Sequence, residues 1–260
     1  GKAESVLILE PINNDLRGDL APKFAKVMQI DNYSARMILS SKSWRLYRTG
    51  KLGEINFYVE ELTKVEIPCF ALTIDEIKAI NVYKVNYFQV LDQQITVVCT
   101  DESSHIGTLT FDLTEITQRV EGLLPIFEDV VDLDWRRKLQ RKTKTLDYAK
   151  ICDLHLPQRN SILRMCDYLY DFQEGIRLGE SNRYSWEHTT LTSWQNLMKL
   201  FEEKLDNQTV WRDFTNFAEL ALDSMEMLQH FESHIDLFRK EDTLWDQAFQ
   251  LYSGLVFLRQ

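Results

Sequence analysis

The most unusual chemical grouping in this chain is a basic run. Within DWRRKLQRKTK (134–144), six of the nine residues from Arg136 to Lys144 are cationic, and Glu128, Asp129, Asp132 and Asp134 lie in or just before it. Arg137 and Arg141 form R-x-x-x-R. Such arginines suit a small anionic ligand with planar bases. A guanidinium donates bidentately to guanine O6 and N7 or clamps a phosphate, and its flat face stacks on a base. A carboxylate such as Asp134 or Asp147 would accept from guanine N1 and N2, while Trp135 and Tyr148 offer stacking faces. The candidate ligand site is therefore Asp134, Trp135, Arg136, Arg137, Arg141, Asp147 and Tyr148. The plainer alternative is a solvated basic turn that pairs with the acidic C-terminal region.

Other groupings carry less. Trp44, Arg45, Tyr47 and Arg48 read as an edge strand with snorkelling arginines, and strict alternation would set Arg45 and Tyr47 opposite Trp44 and Arg48. His230 and His234 are spaced for a metal on a helix, but HFESH is not H-E-x-x-H, so the glutamate placement of a metalloprotease is absent. Cys152 and His155 are close in sequence without a complementary ligand pair. The four cysteines, Cys69, Cys99, Cys152 and Cys166, fit neither C-x-x-C nor a disulfide framework. They read as free buried thiols of a reducing cytoplasm. No nucleophile elbow, P-loop, dinucleotide fingerprint or kinase signature occurs. Among 40 acidic side chains no acid/base couple stands out. The expectation is a non-enzyme with no metal and no organic cofactor.

The elements that must hold the basic run follow from pattern. The chain has 260 residues, 44% hydrophobic, enough for one large or two modest domains. Residues 6–10, 44–48 and 66–72 read as strands, and 19–30, 33–40 and 54–65 as helices. This β-α-α-β-α-β order gives a small α/β sandwich over 1–79 with helices on one sheet face. Segments 80–91, 94–100 and 107–111 read as an antiparallel meander with turns near Asp92–Gln93 and Asp101–Ser104. Residues 115–132 are apolar without a clear period, and 161–178 fit strand or helix equally. They complete a β-rich middle, 80–189, that carries the basic segment. Residues 190–260 hold 12 acidic and 6 basic side chains and read as an all-helical acidic region. Trp194, Phe201, Phe217, Leu251 and Leu255 belong to its buried faces, Thr192 and Gln195 to a capping box, and Asp242 or Thr243 to a further cap. The fold class is α+β. The net charge of −10 lacks the positive excess of a general nucleic-acid binder. The apolar runs are too short to span a membrane, and no signal peptide opens the chain. These features predict a soluble cytoplasmic protein with no membrane and no direct nucleic-acid partner.

Three segments carry a resemblance: WRRKLQRKTKTLDYAKICDLHLPQRN (135–160), VWRDFTNFAELALDSMEML (210–228) and HIDLFRKEDTLWDQAFQLYSGLVFL (234–258). They resemble a cyanobacterial family of otherwise undefined domain that is associated with cyclic di-GMP reception. The resemblance implies a non-enzymatic signalling receptor that binds cyclic di-GMP and regulates a protein partner, a transcription regulator being the expected kind. Arg137 and Arg141 also resemble the R-x-x-x-R of PilZ-type receptors, but the second PilZ signature, D/N-x-S-x-x-G, does not follow them. The alternative is a scaffold protein that binds a partner and no nucleotide.

Overall fold

SVLIL at 5–9 is apolar at four of five positions and fully buried, which suits a strand covered on both faces. The computed structural model describes residues 4–172, 177–178, 182–183, 190–205, 208–232, 235 and 244–260. In chain order its strands are β1 (Ser5–Leu9), β2 (Arg45–Gly50), β3 (Cys69–Thr73), β4 (Asn81–Leu91), β5 (Gln94–Thr100), β6 (Ile106–Asp112), β7 (Gln118–Leu133), β8 (Leu139–Leu156), β9 (Ser161–Cys166), β10 (Arg177–Leu178), β11 (Asn182–Arg183) and β12 (Thr209–Trp211). The helices are α1 (Asn14–Met28), α2 (Asn32–Ile38), α3 (Leu52–Lys64), α4 (Ile74–Lys78), α5 (Thr190–Lys204), α6 (Phe214–Ala221), α7 (Met225–Leu228) and α8 (Trp245–Arg259). The architecture is α+β, with two compact units: Gly1–Ala79, Thr215–Glu232 and Gln250–Arg259 in the first, Ile80–Phe214, Ser233–Phe249 and Gln260 in the second.

The first unit holds an antiparallel sheet of order β2-β1-β3. Leu7 and Leu9 meet Leu20, Phe24, Ile55 and Leu62 of α1 and α3. Side-chain oxygens of Asn13 and Asp31 accept from the backbone N–H groups of Asp15 and Ser34, capping α1 and α2. The expectation of helices on one sheet face is corrected here. Val6 and Ile8 point the other way and are equally buried. The aromatic ring of Tyr252 packs edge-on against Trp44, which packs edge-on against Phe70, and the Arg259 guanidinium lies 4.3 Å over Phe70. The late part of α8 thus contributes the second cover. Strict alternation in β2 also fails. A bulge pairs Leu7 with Arg48 but Ile8 with Leu46, so Tyr47 is the extra residue. Tyr47 then reaches Phe24 and Arg48 reaches Tyr58, both on the helical side.

In the second unit β4, β5 and β6 form the expected meander. The two-residue turn at Asp92–Gln93 puts Asp92 at φ 56°, and the Asp101 carboxylate accepts from Ser103 and His105 N–H to hold the next turn. The main sheet runs β11-β10-β4-β9-β8-β7-β12, with β5 beside β4 and β6 beside β5. The unassigned 115–132 is therefore the long strand β7, and the ambiguous start of 161–178 is β9. One face packs Phe88, Leu154, Leu163 and Met165 against Trp194, Leu197, Leu200 and Phe201 of α5. On the other face Gly122 lies beneath Phe214 and Phe249, where a Cβ would come within 2.9 Å and 3.0 Å of their rings.

The C-terminal region is not wholly helical, because β12 pairs parallel with Gln118–Val120 of β7. Its residues also fall in both units rather than in one bundle. Helix α5 begins at Thr190, which places Thr192 inside it instead of at its cap. Asp242, Thr243 and His234 lie outside the described residues. Trp194, Phe201, Phe217, Leu251 and Leu255 are all buried. No described helix is long and apolar enough to cross a membrane.

Candidate functional site

The basic run is the end of a long antiparallel hairpin. β7 and β8 pair continuously from Gln118–His155 to Leu133–Leu139, interrupted by one bulge at Leu146. β12 accompanies β7 only to Val120, and β9 accompanies β8 only from Ile151 onward. Beyond these points no other described strand pairs with the hairpin. Residues 123–133 and 139–149 therefore form a two-stranded arm, roughly 36 Å long at the rise of an extended strand.

Asp134 makes the turn. Its Oδ1 accepts from the N–H groups of Arg136 and Lys138, each at 2.8 Å. The Asp134 carbonyl accepts from Arg137 N–H, and the Lys138 carbonyl accepts from Asp134 N–H. Arg137 then takes φ 58°, the left-handed position of a three-residue hairpin loop. Asp134 is thus committed to backbone donors through one oxygen. Trp135 is 85% exposed, and the Arg136 guanidinium lies 4.5 Å over its ring. Arg137 projects from the turn, and Arg141 sits opposite Val131, two rungs below the last pair. Among the described residues none of Arg136, Arg137, Lys138, Arg141, Lys142 and Lys144 takes part in an ion pair. The turn is exposed, and among the described residues no ion pair links it to the acidic C-terminal region.

Asp147 and Tyr148 do not join this group. Their partners across the hairpin are Ile126 and Pro125, near its base. Eight residues of strand separate Asp147 from Leu139, roughly 26 Å. Both carboxylate oxygens of Asp147 are engaged, Oδ1 by Tyr148 N–H and Oδ2 by the Tyr168 hydroxyl at 2.7 Å. The Tyr168 hydroxyl bond holds the Asp147 carboxyl below its ordinary range and pushes the Tyr168 phenol up to about 12. A small ligand that touches Trp135 cannot also touch Asp147. The tip therefore reduces to Asp134, Trp135, Arg136 and Arg137, with Arg141 alongside.

Sequence reading missed three things. Lys138 belongs to the tip. Val131, Leu133 and Leu139 are exposed beside Arg141, and the alternation of 131 and 133 was their signal. The third is a buried polar layer in the sheet, invisible because its partners are distant in sequence. Arg164 donates to both carboxylate oxygens of Asp153, at 2.9 Å and 2.8 Å. Trp211 Nε1 donates to Gln118 Oε1, which leaves Gln118 Nε2 to donate to Nδ1 of His155. Burial drives the imidazole down to about 4, from an ordinary 6.5. Arg119, fully buried, donates to Glu121 and Glu202, and Arg212 donates to the same two carboxylates. Glu121 accepts one guanidinium on each oxygen and Glu202 accepts both on Oε1, a clasp between β7, α5 and the residue after β12. Burial raises the Cys152 and Cys166 thiols, which suits packing and not nucleophilic attack. No described group of three or more His, Cys, Asp or Glu side chains could hold a metal. A cavity of about 320 Å³ opens elsewhere on the second unit, lined by Tyr83, Asp101, His105, Arg159 and Ser161 among others. Arg159 there is tied to Glu115.

Protein-family models, characterised proteins and solved structures were all compared with this chain, and none matches it.

Proposed function

We propose that this chain is a non-enzymatic regulatory binding protein that takes an anionic ligand at the hairpin tip. Cyclic di-GMP is the ligand the sequence resemblance implies, and a protein partner receives the signal. The observation that supports the reading is the tip itself. The Arg136 guanidinium lies over an exposed indole with Arg137 next in the turn, and among the described residues neither takes part in an ion pair, a composition suited to phosphate and base. Calorimetry with a panel of linear and cyclic nucleotides tests it. Arg141→Ala should weaken cyclic di-GMP roughly tenfold, and Arg141→Lys should restore it only in part. Arg137→Gly removes the other arginine without straining the left-handed backbone. A parent protein that binds no cyclic dinucleotide at high concentration ends the receptor reading. Undiminished binding by both variants moves the site to Arg45, Arg48, Arg159 or Arg164. Of these, Arg159 lines the cavity, whereas Arg164 is locked to Asp153.

The second reading is a docking protein without nucleotide. The exposed Val131, Leu133 and Leu139 favour it, since a dinucleotide has no use for aliphatic side chains along a strand.

A further inference from the structure

The arm has two different faces. Register places Leu123, Pro125, Phe127, Val131 and Leu133 of β7 on the same side as Leu139, Arg141, Thr145, Tyr148 and Lys150 of β8, with Pro125 buried at the base. Leu123, Val131, Leu133, Leu139 and Tyr148 on that side are 43–77% exposed. The opposite side carries Asp132, Gln140, Lys142 and Lys144 beyond the last buried rung. A two-stranded ribbon has no core of its own and is marginal in water. An apolar stripe along one side of such a ribbon, with neither edge paired to a described strand, marks a contact surface.

Charge and area narrow what covers it. Asp134–Lys144 carries six cations and one carboxylate, net +5, in a chain of net −10, so the rest of the chain carries −15. One side of a ribbon roughly 36 Å by 10 Å buries about 350 Å² on each partner. Two ribbons packed on each other alone bury about 700 Å², short of the roughly 1,200 Å² of a specific interface. Two such contacts, each arm on the acidic body of the other copy, give about 1,400 Å² and close the symmetry. We infer that the apolar face of the arm docks on a second copy of this chain, in a reciprocal arm exchange steered by the cationic tip. The inference does not depend on nucleotide binding.

Sedimentation velocity on the full chain, without nucleotide, at low and high salt tests it. The parent should be a dimer whose affinity falls as salt screens the tip. Val131→Thr/Leu133→Thr/Leu139→Thr keeps strand preference while removing the apolar stripe, and should weaken the dimer at least tenfold with unchanged circular dichroism. Arg136→Glu/Lys138→Glu should weaken it at low salt and abolish the salt dependence. A parent that is monomeric at both salts overturns the inference, as does a dimer that neither variant disturbs. A monomer that co-floats with anionic phospholipid vesicles also overturns it and assigns the face to lipid. Calorimetric nucleotide binding stands or falls separately from all of these outcomes.

Discussion

Asp153 and Arg164 face each other across β8 and β9 with almost no solvent and form a bidentate ion pair inside the sheet. Removing one partner of such a pair leaves a buried charge. Asp153→Asn should therefore cost about 3–5 kcal/mol, whereas the double change Asp153→Leu/Arg164→Met should be much milder. Urea unfolding of the three proteins measures this, and a mild single variant would show that the site admits water. His155, two residues on, gives a pH prediction. Burial, with Arg164 adding to it and Asp153 opposing it, holds the imidazole near 4 against 6.5. Between those values the unfolded chain binds a proton that the folded chain refuses. Stability is then complete above 6.5 and falls as the pH drops toward 4, by about 3 kcal/mol in all. The Gln118 bond points the same way, because Nδ1 must stay an acceptor. His155→Gln should flatten that part of the stability profile relative to the parent, and parallel profiles would sink the assignment.

At the scale of elements, the hairpin is both the most legible and the most misleading part of the sequence. The basic run reads at once, but R-x-x-x-R suggests two arginines in one cluster. In an extended hairpin the pair is instead a turn residue and a strand residue, and Asp147 and Tyr148 lie at the other end of the arm. What was needed was the turn. Asp134 followed by a left-handed Arg137 is a weak signal, since glycine or asparagine usually fills that position. The meander 80–111 read correctly because its β-branched runs are cut by short polar turns. β7 did not, since residues 118–120 are buried on both sides and residues 131–133 on neither, which erases any single period. Two substitutions test the turn. Asp134→Ala removes the acceptor of two backbone N–H groups and should destabilise the arm by about 1 kcal/mol. Arg137→Gly should steady it by a similar amount. Amide hydrogen exchange across 131–141 should quicken in the first and slow in the second, while β4 to β6 stay unchanged. An unaltered arm in the alanine variant would mean the turn is held by pairing alone.

At the scale of the molecule, each unit is completed by residues far away in sequence. α8 begins with residues of the second unit and ends with residues of the first. Local periodicity identifies such a helix but not what it covers, so the expectation of a separate helical region is natural and incomplete. Phe201 and Leu251 are both buried, in the second and first unit respectively. Phe201→Ala should cost about 3–5 kcal/mol and Leu251→Ala about 2–5 kcal/mol. A cost near zero at either position, by thermal or urea unfolding, would place that side chain outside a core. The end of the arm differs, since residues 131–133 and 135–142 are exposed whereas Leu124, Pro125 and Ala149 at its base are buried. Arg136, Arg137 and Lys138 offer three consecutive trypsin sites on a solvent-facing turn. Brief digestion should cut there first and give two fragments under denaturing conditions. β7 and β8 remain zipped to each other and to their neighbours below the cut, so the nicked protein should still elute as one particle. Molecules whose arms are occupied should be cut more slowly, which makes the rate of that single cleavage a clock for whatever the arm holds.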